Sequence, residues 1–343
     1  MKIVKENHNK LIIDVLSSIG LSKKQAISAG SIMSYADERE ISTHGILMLE
    51  KYVERIKDNT INKSPEYVWE QKSNSIYTLD GDQGMGHFLG DLAMKKAIEI
   101  AEDKSIGLVF VKKATHYGAS GYYTNLAASH NMIGFSSTNT MPLIAPTGGS
   151  ERILGNNPIS FAFPRKDDSP IVLDIATSVV AAGKLILANQ LGESIPKGWA
   201  LDKHGNPTED PYEGFEGGGT LLPIENHKGY GLSLAMDILT GILTGAGYGS
   251  KVKNDNIGFV MLAINTDNIM SEGEYNERLN DLISMIKSTK KAEGYNEIFL
   301  PGEIEQINKN KSLQEGISIN DNLYVELKKL ITSLGLSPNK YFD

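Results

Sequence analysis

Apolar positions in the first twenty residues, Leu11, Ile12, Val15, Leu16 and Ile19, recur at helical spacing, and Gly20 ends the pattern. Ser22 and Gln25 form a capping box that opens a second helix, so the first seventy residues read as a helical unit. After "INKSP" the period changes. Short β-rich runs ("SIYTL", "IGLVFV", "MIGFSS", "ISFAF", "IVLDIA" and "IGFVMLAI") alternate with amphipathic stretches near residues 89–103, 121–130, 178–191, 229–243 and 274–287. That alternation predicts an α/β fold around one sheet. The connections are long enough for parallel crossovers and also allow antiparallel pairs, so the sheet is expected to be mixed. "EGFEGGGTLLP" is the one obviously flexible segment, and there is no internal repeat.

The stretch "STHGILMLEKYVERI" adds candidate chemistry to the helical unit. Ser42 or Thr43 can cap a helix whose four-residue steps would stack His44, Met48 and Tyr52 on one face. Such a face serves equally as a buried stripe. A histidine at a helix mouth, however, is held neutral by the positive end of the helix dipole.

Charge and cysteine content then narrow the function classes. The 34 basic and 42 acidic residues give a net charge of −8 with the basic residues dispersed, which disfavours nucleic acid and anionic membranes as partners. Without cysteine there is no disulfide, thiolate metal site or cysteine nucleophile. "MKIVKENHNKLIIDVL" carries polar residues where a signal peptide needs its apolar core, and a soluble, unexported, cytoplasmic protein is expected. His87, His130 and His204 lack ligand-spaced partners, so no metal site is expected.

No G-x-G-x-x-G or P-loop announces a nucleotide site, since the glycines of "GAGYGSK" are wrongly spaced and follow a helix. Other segments meet the same physics. "IVLDIATSVVAAGK" is a strand ending in Asp174, then Thr177 and Ser178 as candidate caps of a helix whose free N–H groups suit a diphosphate. "THYGASGYY" puts His116 at the C-terminal end of a strand, where α/β folds gather ligands. "SSTNTMPLIAPTGG" offers hydroxyls and amides in a fixed loop, "GNNPISFAFP" two asparagines before a proline, and "HKGYGLSLAMDILTG" Lys228 at a helix mouth.

Taken in order, "ADEREISTHG", "HYGASGYY", "TNTMPLIAPTGG", "GNNPISFAFP", "LDIATS", "GWALDKHGNPTEDP" and "KGYGLSLAMDILTGILTGA" resemble the malate/L-lactate dehydrogenase family of non-Rossmann NAD(P) oxidoreductases, over essentially the whole chain. The resemblance implies a mixed-sheet α/β domain over residues 73–304 that binds the dinucleotide, with residues 1–72 and 305–343 as a helical dimerisation unit. It also implies a homodimer with intertwined N-terminal helices and hydride exchange between NAD(P), NAD favoured over NADP, and the 2-carbon of a small 2-hydroxy or 2-oxo acid. Matched onto this chain, His116 takes the proton-transfer role and His44 orients substrate, with the reverse assignment close behind. Met48, Tyr52, Asn156 and Asn157 match substrate-site positions. Asn139, Thr140, Asp174, Ile175, Ala176, Thr177, Ser178, Lys228, Gly302, Glu303 and Ile304 match cofactor positions.

Two residues depart from the family pattern. Glu40 stands where the family has glycine, and Met48 where it has an arginine that clamps a carboxylate. Methionine offers only a polarisable apolar surface. A monocarboxylate with a neutral tail is therefore expected unless Lys51 or another cation reaches the vacated place. The alternative is a family member that keeps the dinucleotide site as a binding or regulatory protein with turnover impaired.

Overall fold

The computed structural model describes residues 1–343 other than 167, 255 and 343. The chain begins with β1 (Lys2–Ile3), followed by α1 (Lys5–Ser18) and α2 (Lys23–Glu38). Ser22 and Gln25 complete both halves of the capping box at the start of α2. The next segment differs from the expected single helix: 3₁₀ turns at Ser42–His44 and Ile46–Met48 are separated by Gly45 in an extended conformation, and α3 (Leu49–Lys57) starts only after them. Extended backbone at Gly45 cannot carry the helical hydrogen-bond ladder, so Thr43 caps nothing.

Next come β2 (Val68–Gln71), β3 (Ile76–Gly84), α4 (Gly86–Lys104), β4 (Ile106–Ala114), α5 (Ser120–Ala128), β5 (Met132–Thr138), β6 (Ile159–Phe163) and β7 (Ile171–Ile175). Helix α6 (Ala182–Leu191) leads to a small sheet of β8 (Ala200–Leu201), β9 (Pro207–Thr208) and β10 (Thr220–Leu221). Helix α7 (His227–Asp237) runs on into a π-helical turn, Ile238–Ile242, before β11 (Ile257–Asn265). The order in the large sheet is β2-β3-β4-β11-β5-β6-β7, and β3–β4 is its parallel pair among otherwise antiparallel ones. Strand β2, a mostly exposed edge strand of Val68, Trp69, Glu70 and Gln71, carries no apolar alternation that would betray it in sequence.

This pairing positions the site. Strands β4 and β5 both run antiparallel to β11, and β7 lies two antiparallel steps beyond β5, so β4, β5 and β7 end at the same edge of the sheet. The segments that follow them begin with Thr115, Asn139 and Ala176 and converge there. Phe259, Met261 and Ala263 of β11 pack with Val109 and Val111 of β4 against Ala93 and Ala97 of α4. Gly107 permits that contact, because a Cβ there would lie 1.9 Å from the Ala97 carbonyl oxygen.

The remaining elements are α8 (Glu272–Ser288), α9 (Glu303–Glu315), β12 (Ile317–Ser318), α10 (Asp321–Ser333) and α11 (Asn339–Phe342). Strands β1 and β12 pair antiparallel, and Leu11, Ile12 and Leu16 share a second core with Leu49, Tyr52, Ile331 and Tyr341. The apolar face of α1 is thus buried within its own chain. Among the described residues no helix is long and apolar enough to cross a membrane.

Glu40 sits at φ 61°, the left-handed region that favours glycine, with its side chain exposed. A side chain in that conformation costs roughly 1–2 kcal/mol. Glu40→Gly is therefore expected to raise stability by about 1 kcal/mol, read as a higher urea midpoint at unchanged slope. A lower midpoint would show that the Glu40 side chain offsets its own strain.

Candidate active site

A cavity of about 1140 Å³ opens at the sheet edge where β4, β5 and β7 end. It exceeds the 300–1,000 Å³ usual for one small ligand, leaving room for a dinucleotide and a small acid together. His44 and His116 share one wall, their ring centroids 5.5 Å apart and their planes 25° from parallel. The Tyr52 hydroxyl lies 2.7 Å from His116 Nδ1, and Thr43 Oγ1 lies 2.9 Å from His44 Nδ1. In both rings Nε2 remains for chemistry.

Tyr52 is fully buried and absent from the wall; it stands behind His116 instead of facing substrate. Met48 does line the cavity, and its other side packs on the helical core. His87, also fully buried, meets Tyr52 edge to face at 4.9 Å, and neither of its nitrogens has a hydrogen-bond partner among the described residues. Burial holds His87 at a pKa of about 3, with His44 adding to the effect. Burial likewise lowers His44. It lowers His116 further, aided by His44, His87, Arg55 and Lys51 in that order. All three imidazoles are therefore neutral at pH 7.

The cations Lys51 and Arg55 of α3 line the cavity with Met48. Arg55 also donates to the Asn254 carbonyl at 2.7 Å, bracing α3 against the loop before β11. Lys51 has no ion-pair partner among the described residues. Tyr35 and Arg39 join the wall from the end of α2, with the guanidinium 3.6 Å from the ring centroid. Sequence reading overlooked these two and Arg55, because helical positions in an ordinary amphipathic pattern carry no motif.

On the opposite side, Thr140 and Asn156 brace each other: Thr140 Oγ1 donates to Asn156 Oδ1 at 2.9 Å and accepts from Asn156 N at 3.1 Å. Both line the cavity, as do Ile175, Ala176 and Gly302. Asn139 and Asn157 are buried in the scaffold. Asn139 links Gly247 to Gly258, and Asn157 accepts from Thr140 N and donates to the Ser233 carbonyl. Asp174 Oδ2 accepts from Gly121 N at 2.7 Å. Its carboxyl opens to the cavity, yet the surrounding walls raise its pKa to about 7; the Gly121 N–H opposes that rise and Glu305, also on the wall, adds to it.

The remaining residues singled out in sequence fall outside the wall. Thr177 is buried and Ser178 Oγ bonds the Val180 carbonyl, so neither caps α6. That helix begins at Ala182 with no side-chain cap and no acidic residue in its first turn, and Ala181, Ala182 and Gly183 line the cavity. Lys228 is exposed on α7. Glu303 is tied to Lys287 and to Leu300 N, and Ile304 is exposed.

A neutral imidazole pair, an uncapped helix start and a carboxyl group thus share one cavity at the edge of a mostly antiparallel sheet. The sequence profile of the malate/L-lactate dehydrogenase family matches residues 3–328, and the chain belongs to that family. It is 39% identical to the L-sulfolactate dehydrogenase of Methanocaldococcus jannaschii, covering 98% of each chain. The solved structure of the sulfolactate dehydrogenase from Methanocaldococcus jannaschii superposes with a TM-score of 0.93 over 100% of both chains at 38% identity. A malate dehydrogenase of Pyrococcus horikoshii is 37% identical over 98% of this chain and 96% of its own. The ureidoglycolate dehydrogenase (NAD(+)) of Escherichia coli K12 is 33% identical over 94% of each. The protein is an NAD(P)-dependent hydroxy-acid oxidoreductase.

Proposed function

We propose that this protein interconverts a 2-hydroxy acid bearing a second acidic group and the corresponding 2-oxo acid, using NAD, as a cytoplasmic homodimer. The observation that carries the reading is the stacked His44–His116 pair with Tyr52 fixed behind His116. NAD bound in the cavity supplies the hydride acceptor. With His116 in the tautomer whose Nδ1–H donates to the Tyr52 oxygen, Nε2 is left to take the proton of the substrate hydroxyl during oxidation and return it to the carbonyl oxygen during reduction. Its lowered pKa keeps the base form ready at neutral pH. His44, Lys51 and Arg55 hold the acid groups. The uncapped start of α6 suits a diphosphate, and Thr140 and Asn156 frame the nicotinamide.

The Asp174 and Glu305 carboxyl groups favour NAD over NADP, because their oxygens accept ribose hydroxyls and their ionised forms repel a 2′-phosphate. NADH is expected to bind at least about tenfold tighter than NADPH, and Asp174→Asn with Glu305→Gln to narrow that ratio severalfold. Quenching of Trp69 and Trp199 measures both; equal affinities in the wild type would sink the assignment. A second copy has an apolar face to cover: Leu232, Leu234, Ile238, Ile242 and Leu243 on α7 and its π-helical extension are 39–60% exposed.

Following NADH oxidation against a panel of 2-oxo acids tests the whole reading. Turnover with none, alongside tight NADH binding, would favour the impaired, purely dinucleotide-binding alternative.

A further inference from the structure

Ser34, His8 and Asp37 form a buried Ser–His–Asp line away from the cavity. His8 Nδ1 lies 2.9 Å from Ser34 Oγ and His8 Nε2 lies 2.8 Å from Asp37 Oδ2. A hydrolase would need its serine exposed to substrate, but Ser34 is 2% accessible, and none of the three lines the cavity. The line ends elsewhere. Asp37 Oδ2 also accepts from the Ile46 backbone N–H at 2.6 Å. A Cβ at Gly45 would lie 1.8 Å from Asp37 Oδ1, so the carboxylate occupies the space that any side chain at position 45 would need. Residue 44, on the other side of that glycine, is the histidine of the cavity wall.

We propose that His8 and Asp37 are positioning residues for His44: α1 orients a carboxylate on α2, which clamps the turn at Gly45–Ile46 and sets where His44 meets substrate. The mechanism is geometric. Between Ser42–His44 and Ile46–Met48 the backbone has no continuous helical ladder, so the amide at Ile46 needs an external acceptor. Asp37 supplies it through a charge-assisted bond. His8, fully buried, holds that carboxylate in one rotamer, and Ser34 fixes the imidazole from its far side. The same contact explains physically why glycine follows His44. The proposal rests on the functional reading only in taking His44 to touch substrate.

Two readouts separate the clamp from general stability. Hydrogen exchange of residues 42–48, compared with α4 and β11 in the same protein, reads the turn directly. In His8→Leu, exchange in 42–48 is expected to rise at least about tenfold with α4 and β11 unchanged. The kcat/KM for the 2-oxo acid should fall about tenfold and the NADH dissociation constant should stay within about twofold, since a small misplacement of an orienting group costs turnover without touching the cofactor site. His8→Gln, which retains an amide donor toward Asp37, should recover most of both losses. Asp37→Asn, isosteric but uncharged, should show both losses if His8→Leu does not fold. Unchanged exchange in 42–48 and unchanged kcat/KM in a folded His8→Leu or Asp37→Asn would overturn the clamp. A wild type that reduces no 2-oxo acid would defeat the functional reading instead, and exchange alone would then decide the clamp.

Discussion

His116→Ala lowers turnover by roughly two to four powers of ten while the NADH dissociation constant stays within about twofold of wild type. The ring is placed for this. Its Nδ1 is occupied by Tyr52, and the residue lines a cavity shared with His44. The groups proposed to frame the cofactor lie elsewhere, Asp174 on β7 and Thr140 and Asn156 in the loop between β5 and β6. The pH profile adds a second signature. Burial and the nearby His44, His87, Arg55 and Lys51 keep His116 below the ordinary imidazole value, so hydroxy-acid oxidation should be flat through neutrality and fall only in acid. Reduction, which needs the protonated ring, should accelerate in the same range. In His116→Ala both limbs should vanish. Wild-type turnover, or an unaltered acid limb, would move the proton transfer to His44.

Substrate choice should turn on one lysine. Position 48, apolar in this chain, leaves Lys51 as the cation on the cavity wall without an ion-pair partner among the described residues. A charge-assisted contact to a second carboxylate is worth about 1.5–3 kcal/mol, or one to two powers of ten in kcat/KM. The wild type is thus expected to prefer oxaloacetate to pyruvate by roughly 10- to 100-fold. Lys51→Met should erase most of that ratio and Lys51→Arg keep it. Met48→Arg in the Lys51→Met background should restore it, since arginine presents a planar fork to a carboxylate. A wild type that favours pyruvate would return the neutral-tail expectation drawn from Met48 alone.

Six strands of the sheet could be read from β-rich runs, because a strand buried on one or both faces must be apolar there. Strand β2 and the two-residue strands could not, since pairing by main-chain groups leaves no side-chain pattern. His44 and His116 were legible as residues in turns beside strands and helices. Their stacking was not, because it depends on α3 bringing Tyr52 behind His116 across 64 residues of sequence. The expected four-residue face failed for a local reason: Gly45 breaks the helix, so His44 and Met48 reach the cavity from two separate 3₁₀ turns while Tyr52 turns inward. Likewise Thr177 and Ser178 read as caps, but the backbone runs four residues further before α6 begins.

The pairing of β1 with β12 has a consequence for synthesis. Residues 2–3 find their partners only at 317–318, and the core that holds Ile46 and Tyr52 includes Leu327, Ile331 and Tyr341. On a ribosome α1 and α2 emerge before these partners, so Leu11, Ile12 and Leu16 stay incompletely covered until residues 317–341 have been released. The sheet, whose strands lie between residues 68 and 265, can assemble before them. The helical core behind this side of the cavity is thus completed by contacts of the greatest sequence separation, the slowest kind to form. Nascent chains held short of residue 317 should be the ones that most need a chaperone at their amino-terminal end.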